Sequence, residues 1–182
     1  MPLLVRLSFM WLAVSGSGTL GAAPASEYQV KAAYLFNFGQ FVEWPASAFE
    51  SPSAPFAICI VGDDPFGSII DDAVRGEKLE GRAVEVRRFR NPEEAAGCNI
   101  VFLARSEAGR LEQTLHALHG RPVLTVTDAT GAETRDAAIV LITQNNRVRL
   151  RINLAEARAN NLVISSKLLR PAEVVGNTGA TP

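Results

Sequence analysis

Cys59 and Cys98 are the only two cysteines of the chain and the residues best suited to chemistry. Cys59 lies inside the apolar run Phe56–Val61, and Cys98 directly precedes a second run, Asn99–Ala104. Each run is typical of a strand buried on both faces, and neighbouring strands could bring the two sulfurs within bonding distance. Two buried free thiols are the alternative. An oxidising compartment would favour a disulfide, either structural or, if strained or exposed, redox-sensing.

Three arginines alternate with apolar residues near the C-terminus, at Arg147, Arg149 and Arg151. Because a strand places alternate side chains on the same face, the three guanidinium groups are predicted to share one face. One interpretation is a solvated edge strand protected against aggregation. The other is a docking stripe for an acidic partner or an anion.

Catalytic and metal-binding patterns are weak in this sequence. His116 and His119 lie three residues apart on a predicted helix without further recognisable ligands, so we interpret them as exposed polar residues and expect no metal. The loop Gly62–Gly67 follows a strand as a phosphate-binding loop does, but it lacks G-x-G-x-x-G, and Asp63 and Asp64 would repel phosphate. We find no G-x-S-x-G after residue 25 and no H-E-x-x-H, and therefore predict no catalytic residue, no cofactor and no enzyme.

Residues 1–25 are predicted to be a cleavable secretory signal. Arg6 precedes the apolar run Leu7–Val14, and Ala23 and Ala25 suit signal peptidase. An uncleaved membrane anchor is the alternative, but the run of about 8 residues falls short of the roughly 20 that a spanning helix needs. Export from a diderm bacterium would place the mature chain in the periplasm, with no direct membrane insertion.

The charge balance bears on possible partners. The chain has 18 Lys+Arg and 19 Asp+Glu, and removal of the signal takes away one arginine and no acid. Nucleic-acid binding requires an excess of basic residues to neutralise phosphates. A nearly neutral chain therefore indicates no nucleic-acid partner.

Strands and helices alternate along residues 26–175, which are predicted to form one domain. We predict an α/β fold: three layers, with a mostly parallel sheet, an antiparallel C-terminal hairpin and helices on both faces. Residues 176–182 are expected to form a flexible tail. The predicted helices are Tyr28–Trp44, ended by Pro45; one capped by Asp64; a short one at Asn91–Gly97; one capped by Ser106 and closed by Gly120; Leu154–Asn160, capped by Asn153; and Ser165–Val175. The predicted strands are Phe56–Val61, Ala83–Phe89, Asn99–Ala104 and Pro122–Thr127. The predicted hairpin consists of Ala138–Thr143 and Val148–Ile152.

Several motifs resemble those of the YfiR-like periplasmic proteins, in order along nearly all of residues 26–175. They are YQVKAAYLFNF at 28–38 with FVEWP at 41–45, ICIVG at 58–62 with DPFG at 64–67, CNIVF at 98–102, and INL at 152–154 with LVISSKLL at 162–169. The resemblance implies an exported regulator rather than an enzyme. Characterised members bind the periplasmic sensor part of a membrane diguanylate cyclase and repress cyclic-di-GMP synthesis, and envelope or redox stress relieves the inhibition. Cys59 and Cys98 fall on the family's disulfide-forming positions.

Partner binding is expected at two places. The first is the stripe of Arg147, Arg149 and Arg151, and the second is the C-terminal region, with Leu162, Ile164, Leu168 and Leu169. The partner would be a membrane diguanylate cyclase or another sensor protein, and we also consider a homodimer. The main alternative function is a periplasmic small-molecule sensor for a cell-wall fragment or an amino acid, which an aromatic cleft at the carboxyl ends of the strands would favour. A hydrolase with a dispersed site is a third hypothesis.

Overall fold

An eight-stranded sheet forms the centre of the computed structural model, which describes residues 26–176. The helices are α1 Glu27–Phe41, α2 Ser68–Val74, α3 Leu111–Leu118, α4 Leu154–Ala159 and α5 Ser166–Leu169. The strands are β1 Val42–Glu43, β2 Phe56–Val61, β3 Lys78–Leu79, β4 Arg82–Phe89, β5 Ile100–Leu103, β6 Leu124–Thr127, β7 Ile139–Gln144, β8 Arg147–Asn153, β9 Val163–Ile164 and β10 Glu173–Val175.

The sheet is mostly parallel, as predicted. Its strand order is β10-β8-β7-β6-β5-β2-β4-β3, and β4, β2, β5, β6 and β7 are parallel neighbours in this series. The antiparallel exceptions are the hairpin of β7 with β8 and the short pairing of β3 with β4. A separate antiparallel pair joins β1 to β9.

Two cores lie on opposite faces of the sheet and produce the three layers. All six residues of β2 are buried; Ile58 and Ile60 point into one core, and Cys59 and Val61 point into the other. The first core also takes side chains from α1, α2, α4 and α5, whereas the second takes side chains from α3. The prediction of an α/β domain with helices on both faces is therefore confirmed.

The hairpin of β7 and β8 turns at Asn145 and Asn146. Both residues have positive φ values, 51° and 57°, a backbone region that asparagine tolerates better than most residues. Two such residues form the turn type whose twist matches that of the flanking strands. The predicted antiparallel hairpin is confirmed.

Helix α1 begins one residue before the predicted start, at Glu27, and ends earlier than predicted. Ser26 forms a capping box with Gln29 at its start. The helix stops at Phe41 instead of Trp44, because Val42 is extended and pairs with Ile164. This pairing of distant residues is not visible in the helical periodicity.

The two predicted caps, Asp64 and Ser106, serve loops instead. The Asp64 Oδ1 atom accepts a hydrogen bond from Phe66 N at 2.7 Å, and α2 starts only after Gly67. Ser106 Oγ accepts from Asp63 N at 2.9 Å, and a 3₁₀ turn precedes α3. Both side chains therefore tie down the loops that follow β2 and β5.

The predicted final helix at Ser165–Val175 is wrong. Helix α5 ends at Leu169, and the chain continues past Pro171 into β10, which pairs parallel to β8. Arg170 still has helical backbone angles, but Pro171 has no backbone N–H with which to continue the helical hydrogen bonds, so the helix is short.

The predicted signal at 1–25 and residues 177–182 of the predicted tail lie outside the described residues. In residues 26–176, no helix is both long enough and apolar enough to cross a bilayer.

Candidate functional site

The three predicted docking arginines share one face of β8, on the same side of the sheet as the second core. Arg147 and Arg149 are exposed, and Arg151 is half-buried. Opposite them on β7 lie Gln144, Ile142 and Val140, respectively. We call these three arginines and their three cross-strand neighbours the arginine face.

Strand β8 is a free edge along only part of its length, which corrects the simple edge-strand interpretation. Strand β10 pairs with it from Arg151 to Asn153. In the described part of the chain, no strand lies beside Arg147–Leu150 on that side. A depression of about 440 Å³ extends over the hairpin and reaches this edge, lined by Ile142, Thr143, Gln144, Arg149, Leu150, Arg151, Pro171 and Glu173.

The charges of the arginine face are unevenly matched. Arg151 Nε lies 3.5 Å from Glu173 Oε1 on β10. Within residues 26–176, neither Arg147 nor Arg149 has an ion-pair partner. This face therefore presents two unmatched guanidinium groups to solvent.

Most of the second predicted partner region is not accessible. Leu162, Ile164 and Leu168 are buried in the first core, so these three side chains are not available for contact with a partner in this conformation. Leu169 is half-buried, and the side chain that points outward is Val163, with 60% of its surface exposed. The apolar motif LVISSKLL supplies these core residues at its alternate and helical positions, and a partner contact in this region stays a prediction.

Cys59 and Cys98 are joined in a disulfide. Cys59 lies on β2 and Cys98 lies two residues before β5, the neighbour of β2 in the sheet, and their Cα atoms are 6.1 Å apart. Both residues are almost fully buried, at 0% and 3% exposure. The bond therefore connects β2 to the segment that leads into β5, inside the second core, where solutes in solution reach it only if the structure opens.

The carboxyl ends of β2 and β5 form the topological switch point, where an α/β sheet usually binds ligands. The chain leaves β2 through α2 toward β4 and leaves β5 through α3 toward β6. Here Gly62 has a φ of 93°, and a Cβ atom at this position would lie 2.5 Å from Ser106 Oγ and 2.8 Å from the Glu107 side chain. The chain's own side chains close this crevice.

Aromatic rings beside the same edge also pack against one another. Tyr28 and Phe66 meet edge to face with ring centroids 5.4 Å apart, and Phe66 and Phe102 do so at 4.9 Å. The aromatic cleft that would favour a small-molecule sensor is therefore replaced at this place by a packed aromatic row.

A buried cluster of charges seals the carboxyl ends of β5, β6 and β7 under the start of α1. Lys31 Nζ lies 2.5 Å from Asp128 Oδ2 and also donates to Glu27 Oε1, and both the Lys31 and the Asp128 side chains are fully buried. Tyr28 donates to Asp128 at 3.1 Å, and Arg105 Nη2 donates to Glu27 at 3.2 Å. We call these five residues the ion cluster; its two cations balance its two carboxylates.

The ion cluster shifts the protonation of its members. Burial, together with the Asp128 charge, raises the pKa of Tyr28 to about 12. The hydrogen bond from Lys31 is the main cause that holds the pKa of Glu27 below its ordinary value. The cluster thus keeps the phenol neutral and the glutamate charged.

Sequence reasoning missed this cluster. It predicted a helix from Tyr28 but did not identify Lys31 as one of the residues that the helix buries. Lys31 lies on the same helix face as the buried residues Leu35 and Phe38, four and seven residues further on. A lysine among the apolar residues of a helix face indicates a buried charge that needs a carboxylate partner. Asp128, directly after an apolar strand, is the carboxylate that meets this need.

The two histidines lie on the surface near the C-terminal end of α3. Both are exposed, and His119 Nδ1 lies 3.1 Å from each carboxylate oxygen of Glu156. Over the described range, no group of three or more His, Cys, Asp or Glu side chains is arranged to hold a metal ion.

The fold and these features define a class: a single α/β domain with a closed carboxyl edge, an internal disulfide and a charged face on its C-terminal hairpin. Residues 28–173 match the model of the YfiR/HmsC-like family, and since this match spans most of the chain, the chain belongs to that family. The family expected from the sequence motifs is thus confirmed. None of the curated proteins compared with the chain matches it.

Proposed function

We propose that this chain is a non-catalytic periplasmic regulator that binds the periplasmic region of a membrane signalling protein. The partner is a diguanylate cyclase, which the chain represses, so that cyclic-di-GMP falls. The observation that carries this proposal is the match to the YfiR/HmsC-like family over residues 28–173. The export signal predicted at residues 1–25 is consistent with action outside the cytoplasm.

The arginine face supports a role in protein binding. Arg147 and Arg149 present unmatched positive charge beside a strand edge, and charge complementarity steers and orients partners. In the C-terminal region we assign contact to Val163 and Leu169, because Leu162, Ile164 and Leu168 belong to the core.

A response to redox conditions is the finer part of the proposal and would act through Cys59 and Cys98. Because both cysteines are buried, reduction requires local opening around β2 and β5. The disulfide would then report on damage to the fold rather than on small changes in thiol concentration.

The experiment is deletion of the gene in its native host, with cyclic-di-GMP measured in cell extracts together with biofilm and motility. Deletion is expected to raise cyclic-di-GMP and biofilm and to reduce motility, and the full chain supplied in trans should reverse these effects. A matched control starts at Ser26 after an initiator methionine; it lacks the export signal and should not restore repression. Unchanged cyclic-di-GMP, biofilm and motility after deletion would refute the repressor function.

A further inference from the structure

Strand β8 offers backbone hydrogen-bonding groups along the part of its edge that β10 leaves uncovered. Asn153 N donates to Ala138 O at 2.9 Å, which identifies these opposite residues as a hydrogen-bonded pair. Such pairs alternate along an antiparallel ladder, so Arg147, Arg149 and Arg151 direct their backbone groups toward β7. The N–H groups of Val148 and Leu150 therefore point away from β7, toward the open side.

The contact between β10 and β8 shows how an acidic side chain on a neighbouring strand meets this edge. Glu173 lies opposite Arg151 in the parallel ladder, and its carboxylate lies 3.5 Å from the guanidinium. Arg149 and Arg147 continue the arginine row at two-residue steps beyond the start of β10. A second strand placed in line with β10 would have its acidic side chains opposite these two arginines if they occurred at every second position.

We propose that the signalling partner docks by adding a short, extended, acidic segment to the edge of β8 at Arg147–Leu150. Main-chain hydrogen bonds to Val148 and Leu150 would provide the pairing, and carboxylates opposite Arg147 and Arg149 would provide the selectivity. The depression of about 440 Å³ between the hairpin and Pro171 meets this edge at Arg149 and Leu150 and would receive side chains of the segment. This mode of docking rests on the proposed regulatory function and specifies the chemistry of its partner.

The direct test measures binding of labelled peptides to the purified, exported chain by fluorescence anisotropy. The probe is the capped peptide Thr-Glu-Val-Glu-Val-Glu-Thr, and its counterpart carries Lys in place of each Glu. The acidic peptide is expected to bind saturably and to weaken as salt is added, and the basic one is expected not to bind. Equal binding of both peptides, or no binding of the acidic one, would overturn the proposal.

Backbone pairing is tested by N-methylation of the peptide, which does not depend on the folding of any variant. In the acidic peptide, methyl groups on alternate amides that face β8 should abolish binding, whereas methyl groups on the other amides should leave it within about twofold. Loss of binding with both patterns, or with neither, would contradict strand addition.

Variants of the chain locate the site. Val148→Pro removes the outward N–H and should weaken binding about fivefold or more relative to Val148→Ala, which keeps it. Arg149→Gln should also weaken binding, whereas Arg121→Gln, at an exposed arginine elsewhere, should not. If Arg149→Gln binds as tightly as Arg121→Gln, the site is wrong even where Val148→Pro fails to fold.

These results are separable from the test of the proposed function. If deletion raises cyclic-di-GMP but the acidic peptide does not bind, only the docking mode is refuted. If deletion leaves cyclic-di-GMP unchanged, the regulatory function is refuted whatever the peptide does.

Discussion

At the scale of single residues, Lys31 is a charged side chain that is completely buried in the fold. Its side chain has no exposed surface and is compensated by Asp128 and Glu27. A buried charge is tolerated only when partners replace the water it has lost, so each member of the ion cluster depends on the others.

Replacement of Lys31 by methionine is expected to destabilise the fold by about 3–5 kcal/mol, because Asp128 would remain buried without its main counter-ion. Urea denaturation measures this change in the free energy of unfolding. The matched control is Arg75→Met, which breaks an exposed pair with Asp72 and should cost less than about 1 kcal/mol. If the two variants lost equal amounts of unfolding free energy, the buried pair would contribute no more to stability than the exposed pair.

Tyr28 makes the cluster sensitive to alkaline pH. Its pKa is raised from 10.0 to about 12 in the folded chain. The unfolded chain therefore releases the phenol proton first, and the stabilising contribution is complete below pH 10 and decreases as the pH rises toward 12.

A titration of phenolate absorbance in the folded chain should show a step near pH 12 that Tyr28→Phe removes. The chain has 2 tyrosines, so Tyr34→Phe is the matched control and should retain this step. Survival of the step in Tyr28→Phe would assign the shift to another group. The same variant should also have a smaller decline in stability between pH 10 and pH 12.

At the scale of secondary-structure elements, the disulfide fixes β2 against β5 at the middle of the sheet. The two cysteines are 39 residues apart, and closing a loop of this length in the unfolded chain corresponds to roughly 4 kcal/mol on the chain-entropy model. The segment between them contains α2, β3 and β4, so the bond restrains one whole side of the sheet.

The double variant Cys59→Ala/Cys98→Ala is expected to lose roughly 4 kcal/mol of stability, measured by urea denaturation without reductant. Wild-type protein in reductant should approach the stability of the variant, and the variant itself should not respond to reductant. An unchanged wild-type midpoint after verified reduction would contradict a stabilising role.

Elements encoded by local chemistry could be predicted from the sequence, and elements created by distant contacts could not. The turn at Asn145 and Asn146 is local, since these two residues tolerate the required backbone angles. Strand β10 is not local: Leu168, Leu169, Ala172 and Val175 recur at helical spacing, and only pairing with β8 makes Glu173–Val175 a strand. The β1–β9 pair has the same origin, because Val42 becomes extended when it meets Ile164.

The residues of the candidate site also fall into those that could be predicted from local sequence and those that depend on distant contacts. The two-residue alternation of side chains along a strand correctly predicted that Arg147, Arg149 and Arg151 share one face, because this alternation is a property of a single strand. The ion cluster joins Lys31 to Asp128 across 97 residues, a contact that no spacing rule encodes. Burial of Leu162, Ile164 and Leu168 likewise depends on which helices cover that face of the sheet.

At the scale of the whole molecule, the central strands belong to both cores at once. Phe102 on β5 points into the first core, and its neighbours Val101 and Leu103 point into the second. Loss of either helical layer would expose one side of the same strands to water. The two cores are therefore expected to unfold together, despite their separation by the sheet.

This coupling predicts one transition rather than two. Phe102→Ala in the first core should cost about 3–5 kcal/mol, and Leu115→Ala on α3, in the second core, about 2–5 kcal/mol, because each leaves a cavity. Urea unfolding is followed by circular dichroism for the whole chain and by the fluorescence of Trp44, which packs against the first core. Each variant should shift both signals to the same lower midpoint. If Leu115→Ala moved the circular dichroism transition and left the fluorescence transition in place, the second core would unfold independently, and a partner docked on the arginine face could loosen one layer without the other.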